Sequence, residues 1–379
     1  MTNLWTDMKH ATSSRRAFLK NGLTTATLAT GAGLLSNSST AYADFEFPGL
    51  PLTRGDAAML RFAAAAEILE TDFWVQYNEL GGIQDSEEPS GSGNPLYTAA
   101  LATVDDDMAQ YIHDNTDDEF SHQNFLNAYL ESKGAAPISL ERFRTLNGSA
   151  ATGSSGKLRL TNLTQLTLDT SWYTRYRSAN NNPDLDPNFT FAQAVPTLFV
   201  GEHTAIPRTN ADTTNPTFLQ AIANTAVFHF ATIEQGGSSL YPAMAQRATS
   251  VETLRILISI GPTETMHFQT WSDDAGDVAP LPAVVDPVTG VSVTFPDLNS
   301  PPFGGEEFQT NLIMPEPCPF LSRKLPPCSI IRPTETTGIA MNVVTFLTDM
   351  GLFKGQSSGF FTLMKQLAQD ADNARRFGP

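Results

Sequence analysis

Two Glu-x-x-His pairs, Glu119-Phe-Ser-His122 and Glu264-Thr-Met-His267, are the residues of this sequence best suited to chemistry. On a helix, positions i and i+3 lie about one turn apart on one face, so a carboxylate and an imidazole at that spacing can reach a single metal ion. Two further acids stand in apolar stretches: Glu67 follows Ala63-Ala-Ala-Ala66, and Glu234 follows Phe228-His-Phe-Ala-Thr-Ile233. A carboxylate in a core stripe must be neutralised, paired or bound to metal, because burying it bare is strongly unfavourable. Each is followed seven residues later by a ring on the same face, Trp74 after Glu67 and Tyr241 after Glu234. Such a ring can pack against or hydrogen-bond a ligand carboxylate. Glu70, with Tyr77 seven residues on, rivals Glu67 as the acid of the first segment. His113, His203 and His229 have no Glu at a ligand spacing and read as structural or exposed.

These residues need helices to carry them, and the apolar repeats at three and four predict four long ones. The first runs from about Thr53 to Leu80, capped by Thr53 or Asp56 and stopped by Gly81-Gly82. The second runs from about Leu96 to Lys133, with Gly134 as a left-handed stop. The third opens on Asn215-Pro216, a capping residue followed by a proline at the first helical position, and ends near Arg247. Ser250 caps the fourth, which ends near Trp271. Gly236-Gly237 and Pro242 interrupt the pattern of the third helix, and Pro262 should kink the fourth or open one of its hydrogen bonds. Between helices two and three the run Asn147 to Gly156 reads as a flexible loop, and 157–214 as a long crossover with small local elements. Beyond Asp273 prolines dominate; Val284 to Phe295 reads as a β-hairpin, and Thr337 to Gly351 and Ser358 to Arg376 as two more helices.

The order Glu, Glu-x-x-His, crossover, Glu, Glu-x-x-His on four helices resembles the ferritin-like superfamily of dinuclear carboxylate proteins. More narrowly it resembles the ferritin-like domain proteins related to desiccation- and stress-associated proteins. The resemblance spans about Thr53 to Ser272. It implies a mainly α fold: a ferritin-like four-helix bundle over residues 44–275 with a crossover insertion at 145–214, followed by a Pro-rich extension, 276–379, with a β-hairpin and C-terminal helices. Glu67 with His122 and Glu234 with His267 would be terminal ligand pairs, and Glu119 and Glu264 would bridge. Trp74 and Tyr241 would support them from behind. Oxygen and imidazole ligands suit two Fe or two Mn ions, whose four positive charges four carboxylates would balance. Members of the superfamily use such a pair on O2, peroxide or ferrous iron. A bundle that keeps these residues as buried ion pairs, or a stress-protective or binding protein with a structural or vestigial metal, is the competing expectation.

The chain has 379 residues, a formal charge of -17 and 41% apolar residues, which excludes a disordered or collagen-like protein. Its acidity argues against nucleic acid or anionic membrane as partners and favours cations. Residues 1–43 read as a leader: Ser14-Arg15-Arg16-Ala17-Phe18-Leu19-Lys20 resembles the twin-arginine export signal, an apolar stretch follows, and Ala41-Tyr42-Ala43 offers a cleavage site. Export to the periplasm or the medium is the expectation, with no membrane span once the leader is removed. An oxidising destination favours a disulfide between Cys318 and Cys328. The long crossover and the extension would obstruct a 24-subunit ferritin shell, while a smaller homo-oligomer stays open. No hydrolase triad, phosphate loop or dinucleotide fingerprint is present in the sequence.

Overall fold

The computed structural model describes residues 52–88, 91–175, 190–301, 314–316, 324, 328–330 and 337–376. The leader expected in residues 1–43 and the disulfide expected between Cys318 and Cys328 lie outside the described residues. Helix α1 (Arg54–Gly81) begins at Thr53, whose hydroxyl accepts from the Asp56 amide at 3.0 Å. Its stop at Gly82 is extended rather than left-handed.

The second predicted helix is two. A short α2 (Pro95–Leu101) is separated from α3 (Met108–Ser132) by a turn that carries Asp105-Asp106-Asp107. Three adjacent acids repel, and Asp competes with the helix by bonding nearby backbone. Asp105 does so, its carboxylate accepting from the Asp107 amide at 2.7 Å. The break leaves Glu119 and His122 together on α3, which ends at Gly134 with a φ of 70°.

The crossover carries the pair β1 (Leu146–Asn147) and β2 (Leu158–Arg159) and the single turn α4 (Ser171–Arg175). The run from Asn147 to Gly156 was expected to be flexible, yet it is fastened along its length. Ser149 donates to the Pro207 carbonyl, Asn94 donates to Thr152, and Ser154 donates to Glu79. Gly153 has a φ of 103° and packs directly on the backbone of Gly93, a place with no room for a side chain. The deeper anchor is Asp72 of α1, whose carboxylate accepts from the amides of Leu160 and Thr161, from the Thr161 hydroxyl and from Arg144. Two turns further along the same face of α1, Glu79 pairs with Arg159, both buried.

Helix α5 (Pro216–Ala245) starts at Asn215, whose side chain accepts from the amides of Thr217 and Phe218. It runs unbroken through Gly236-Gly237 and Pro242. Helix α6 (Val251–Asp277) is capped by Ser250 and reaches six residues beyond the expected end at Trp271. It too continues through its proline. Pro262 faces solvent, and Ile258, whose carbonyl loses its amide partner, is exposed and open to water. Gly261 beside it allows α6 to approach Tyr241 of α5, where a Cβ would lie 2.7 Å from the Tyr241 Cβ.

Helices α1 and α3 form one packed pair and α5 and α6 the other. The expected hairpin is β3 (Leu281–Val285) with β4 (Ser292–Phe295), and a further antiparallel pair joins β5 (Met314–Glu316) to β6 (Cys328–Ile330). The C-terminal helices α7 (Ile339–Asp349) and α8 (Ser358–Asp372) lie on the bundle, α8 against α1 and α7 against α5. Asp372 caps α7 across the gap, accepting from the amides of Ala340 and Met341. The chain is mainly helical as expected, and no helix among the described residues is long and apolar enough to cross a membrane.

Candidate metal centre

The four long helices bring all six predicted ligands into the middle of the bundle. Glu67, Glu119, Glu234 and Glu264 are fully buried, and His122 and His267 nearly so. Two overlapping groups form, Glu67–Glu119–His122–Glu264 and Glu119–Glu234–Glu264–His267, each with its ligand atoms within 4.8 Å of one another. Glu119 and Glu264 belong to both. Each group has the size and donor set to hold a metal ion.

Nδ1 of His122 lies 3.0 Å from Glu119, 3.3 Å from Glu67 and 3.3 Å from Glu264. Nδ1 of His267 lies 3.3 Å from Glu234 and 3.4 Å from Glu119. One N–H can serve only one acceptor well. In consequence Oε2 of Glu67, Oε2 of Glu234 and both oxygens of Glu264 lack a hydrogen bond among the described residues. Orphaned buried carboxylate oxygens facing two imidazole nitrogens are what a cation would satisfy, and the residues therefore fit a metal pair.

The electrostatics of the cluster point the same way. Burial, together with the neighbouring Glu67 and Glu234, pushes the Glu119 carboxyl up to about 7 against the pull of hydrogen bonds from His122 and His267. Burial and the charges of Glu119 and Glu67 raise Glu264 well above the carboxylate range. Burial disfavours a charged imidazole at His122, but its hydrogen bond to Glu119 and the nearby carboxylates of Glu264 and Glu67 outweigh this and hold the proton on. At His267 burial is likewise outweighed, by Glu234 and Asp118. Glu67 is held below its ordinary value: His122, Glu119 and Tyr241 overcome its burial.

A supporting layer completes the centre. The Tyr241 hydroxyl donates to Glu67 on the opposite helix rather than to Glu234 on its own. Trp74 makes no hydrogen bond to a ligand; it stacks at 5.5 Å on Trp271, whose indole N–H donates to Asn115. Asn115 in turn donates to Glu119 at 2.9 Å and Glu234 at 3.1 Å. Asp118 sits 2.9 Å from Nε2 of His267, where it accepts the outer N–H and turns Nδ1 to the centre. Sequence reasoning missed Asn115, Asp118 and Trp271. Asn115 lies one turn before Glu119 on its face, a signal available in the sequence, but Asp118 reaches His267 only because α3 and α6 are adjacent.

Glu70, the rival to Glu67, is buried one turn away and outside both groups. Burial and the charges of Glu119, Glu234, Glu264 and Glu67 raise its carboxyl well above the ordinary range. The other histidines are elsewhere: His113 meets Asp85, His203 meets the carbonyls of Thr197 and Val200, and His229 meets the Tyr77 hydroxyl. Burial lowers His229 to about 3 and keeps it neutral.

Gly237 makes room for Glu264. A Cβ there would stand 2.4 Å from Oε2 of Glu264, so Gly237→Ala must displace the carboxylate that both groups share. We expect the variant to fold, since alanine favours a helix interior by roughly 1 kcal/mol over glycine, and to lose at least about tenfold in metal affinity. Thermal unfolding with and without added Mn(II) checks this; unchanged metal stabilisation would show that Glu264 is not a ligand.

The model of a family described as the ferritin-like domain matches residues 55–275. No curated protein and no solved structure matches the chain.

Proposed function

Because the chain belongs to the ferritin-like domain family, we propose that it is a dinuclear Fe or Mn protein that acts on O2, peroxide or ferrous iron in stress defence. The observation that carries this reading is the sharing of Glu119 and Glu264 between two ligand groups, an arrangement that suits two adjacent ions and gives a lone ion more donors than it needs. Glu67 and His122 would hold one ion, Glu234 and His267 the other. The ion pair, when bound, supplies reversible one-electron oxidation between its divalent and trivalent states.

The chain's own residues set the conditions for that chemistry. Glu67, Glu119, Glu234 and Glu264 balance four positive charges in a site shielded from water. Tyr241 steadies Glu67, Asn115 steadies Glu119 and Glu234, and Asp118 increases the basicity of His267. The leader in residues 1–43 supports action outside the cytoplasm, where a folded, metal-loaded protein would be delivered by a twin-arginine exporter.

Binding must expel protons. Below about pH 7 Glu119 carries one, Glu264, raised well above the carboxylate range by burial and its acidic neighbours, holds another, and both imidazoles are held charged, so metal binding should release protons and tighten as pH rises. The metal-free protein follows the opposite slope. A carboxyl raised from 4.5 to about 7 favours the folded state below 4.5 and loses that contribution as pH rises towards 7. His122 and His267, also raised, lose theirs in the same direction at higher pH. The metal-free protein should therefore melt roughly 5 °C or more lower at pH 7.5 than at pH 5. Elemental analysis of protein purified without chelator, with proton release followed during Fe(II) or Mn(II) titration, tests the reading. About two ions per chain with proton release supports it; a folded protein that takes up neither metal sinks it and leaves a protective or binding role.

A further inference from the structure

We propose that Asp85, Glu87 and His113 form a second metal site, separate from the bundle centre, that takes a single divalent first-row transition ion of the Zn(II) class. The three side chains offer ligand atoms within 4.8 Å of one another and share no member with the two groups of the centre. His113 stands about 9 Å before Glu119 along α3, and the site does not depend on the reading of the centre. Oxygen donors alone would suit Ca or Mg, and an imidazole among them favours the transition ion.

Two elements bring the ligands together. The loop that leaves α1 is fastened by Gln84, which donates to the carbonyls of Asn78 and Gly82. It then turns, the Asp85 carboxylate accepting from the Glu87 amide at 2.9 Å, and both acids are exposed to solvent. Opposite stands α3 with His113, Asp114 and Asp117, and Glu88 of the loop is buried beside Asp117. No Lys or Arg among the described residues pairs with any of these five carboxylates.

The imidazole separates this cluster from an ordinary acidic surface. His113 is 3% exposed, and its Nδ1 is buried without a hydrogen-bond partner. Its Nε2 points into the cluster, 3.2 Å from Oδ1 of Asp85. A charge-assisted hydrogen bond is usually shorter, about 2.7–2.9 Å. The separation is closer to the edge of a ligand tetrahedron, about 3.3 Å for bonds of about 2.0–2.1 Å to zinc. The proton on the ring points the same way. A neutral imidazole that donates from Nε2 to Asp85 sets a bare Nδ1 lone pair 3.8 Å from the Asp114 carboxylate. An ion on Nε2 puts the proton on Nδ1, whose N–H then faces Asp114, the orientation usual for a metal-bound histidine. Three protein ligands at the surface leave the remaining position to water.

Anomalous diffraction at the zinc edge, from crystals of the full chain soaked in Zn(II), tests the site. A peak bounded by Asp85, Glu87 and His113 is expected, and Asp85→Asn, Glu87→Gln and His113→Gln should each remove it. Asp85 and Glu87 are exposed, so their isosteric variants keep the fold. In solution Asp85→Asn and Glu87→Gln should each weaken uptake of a single Zn(II) per chain at least about tenfold and leave any ions in the bundle in place. No peak beside His113, or unchanged Zn(II) uptake in both variants, overturns the proposal. A peak that survives all three substitutions marks an adventitious ion only and overturns it as well. A peak beside His113 with no ion in the bundle would uphold this site while defeating the dinuclear reading.

Discussion

Glu119→Gln is expected to strip both ions at once, whereas Glu67→Gln or Glu234→Gln should remove one and leave the other. The contrast follows from membership: Glu119 is in both ligand groups, Glu67 and Glu234 in one each. A loss of on the order of a hundredfold or more in affinity at both positions is expected for a shared ligand, beyond the 10–100-fold typical of a supporting residue. The isosteric amide leaves no cavity and can still accept from Asn115 through its carbonyl oxygen.

Without metal the sign should reverse. Glu119 is crowded by Glu67 and Glu234 in a fully buried setting, so removing its charge relieves repulsion. The metal-free Glu119→Gln protein should melt above the metal-free parent at pH 7.5, and the difference should shrink towards pH 5, where the parent carboxyl is itself protonated. Melting curves at the two pH values with and without chelator, beside metal analysis, read all of this. Retention of two tightly bound ions by Glu119→Gln would show that Glu119 is not a shared ligand.

Asp72→Ala should give the largest loss of stability of any single change outside the centre, about 3–5 kcal/mol. Asp72 is a buried carboxylate that receives two amides, a hydroxyl and the Arg144 guanidinium. Its removal leaves those donors buried without an acceptor, and leaves Arg144 with only Glu141. For a chain of this size the melting temperature should fall by roughly 5–10 °C. Amide exchange at Leu160 and Thr161 should speed up before that of α3 or α5. Metal content of the folded protein should stay as it was, because Asp72 points away from Glu67, about 140° round the helix. Loss of metal at an unchanged melting temperature would contradict this division of labour between the two faces of α1.

That division marks the border between what could be read from the sequence and what could not. The spacing of Glu119 with His122 and of Glu264 with His267 is local chemistry: i and i+3 share a helical face wherever the helix lies, so candidate ligands could be chosen before any fold was known. Helix starts at Thr53, Asn215 and Ser250 were equally legible, because a capping side chain acts on an amide two or three residues away. The break at Asp105 to Asp107 is local too, yet the apolar repeat on either side of it hid the turn.

The sequence by itself determined which side chains could bind metal, which helical face carries them, and that a long crossover separates the two Glu-x-x-His helices. Only the tertiary structure decided which of them fall in one group of the size to hold an ion, because grouping depends on distances between α1, α3, α5 and α6 that no spacing along one helix contains. It also decided that Tyr241 serves Glu67 across the bundle, that Asp118 belongs to His267, and that Gly237 of α5 and Gly261 of α6 mark close approach rather than a helix end. The same holds for Asp72 and Glu79, which in sequence look like an ordinary solvated face of an amphipathic helix. They are buried because the crossover folds back over α1 and exchanges their water for amides and guanidinium groups. A partner so distant along the chain leaves no periodic trace beside them.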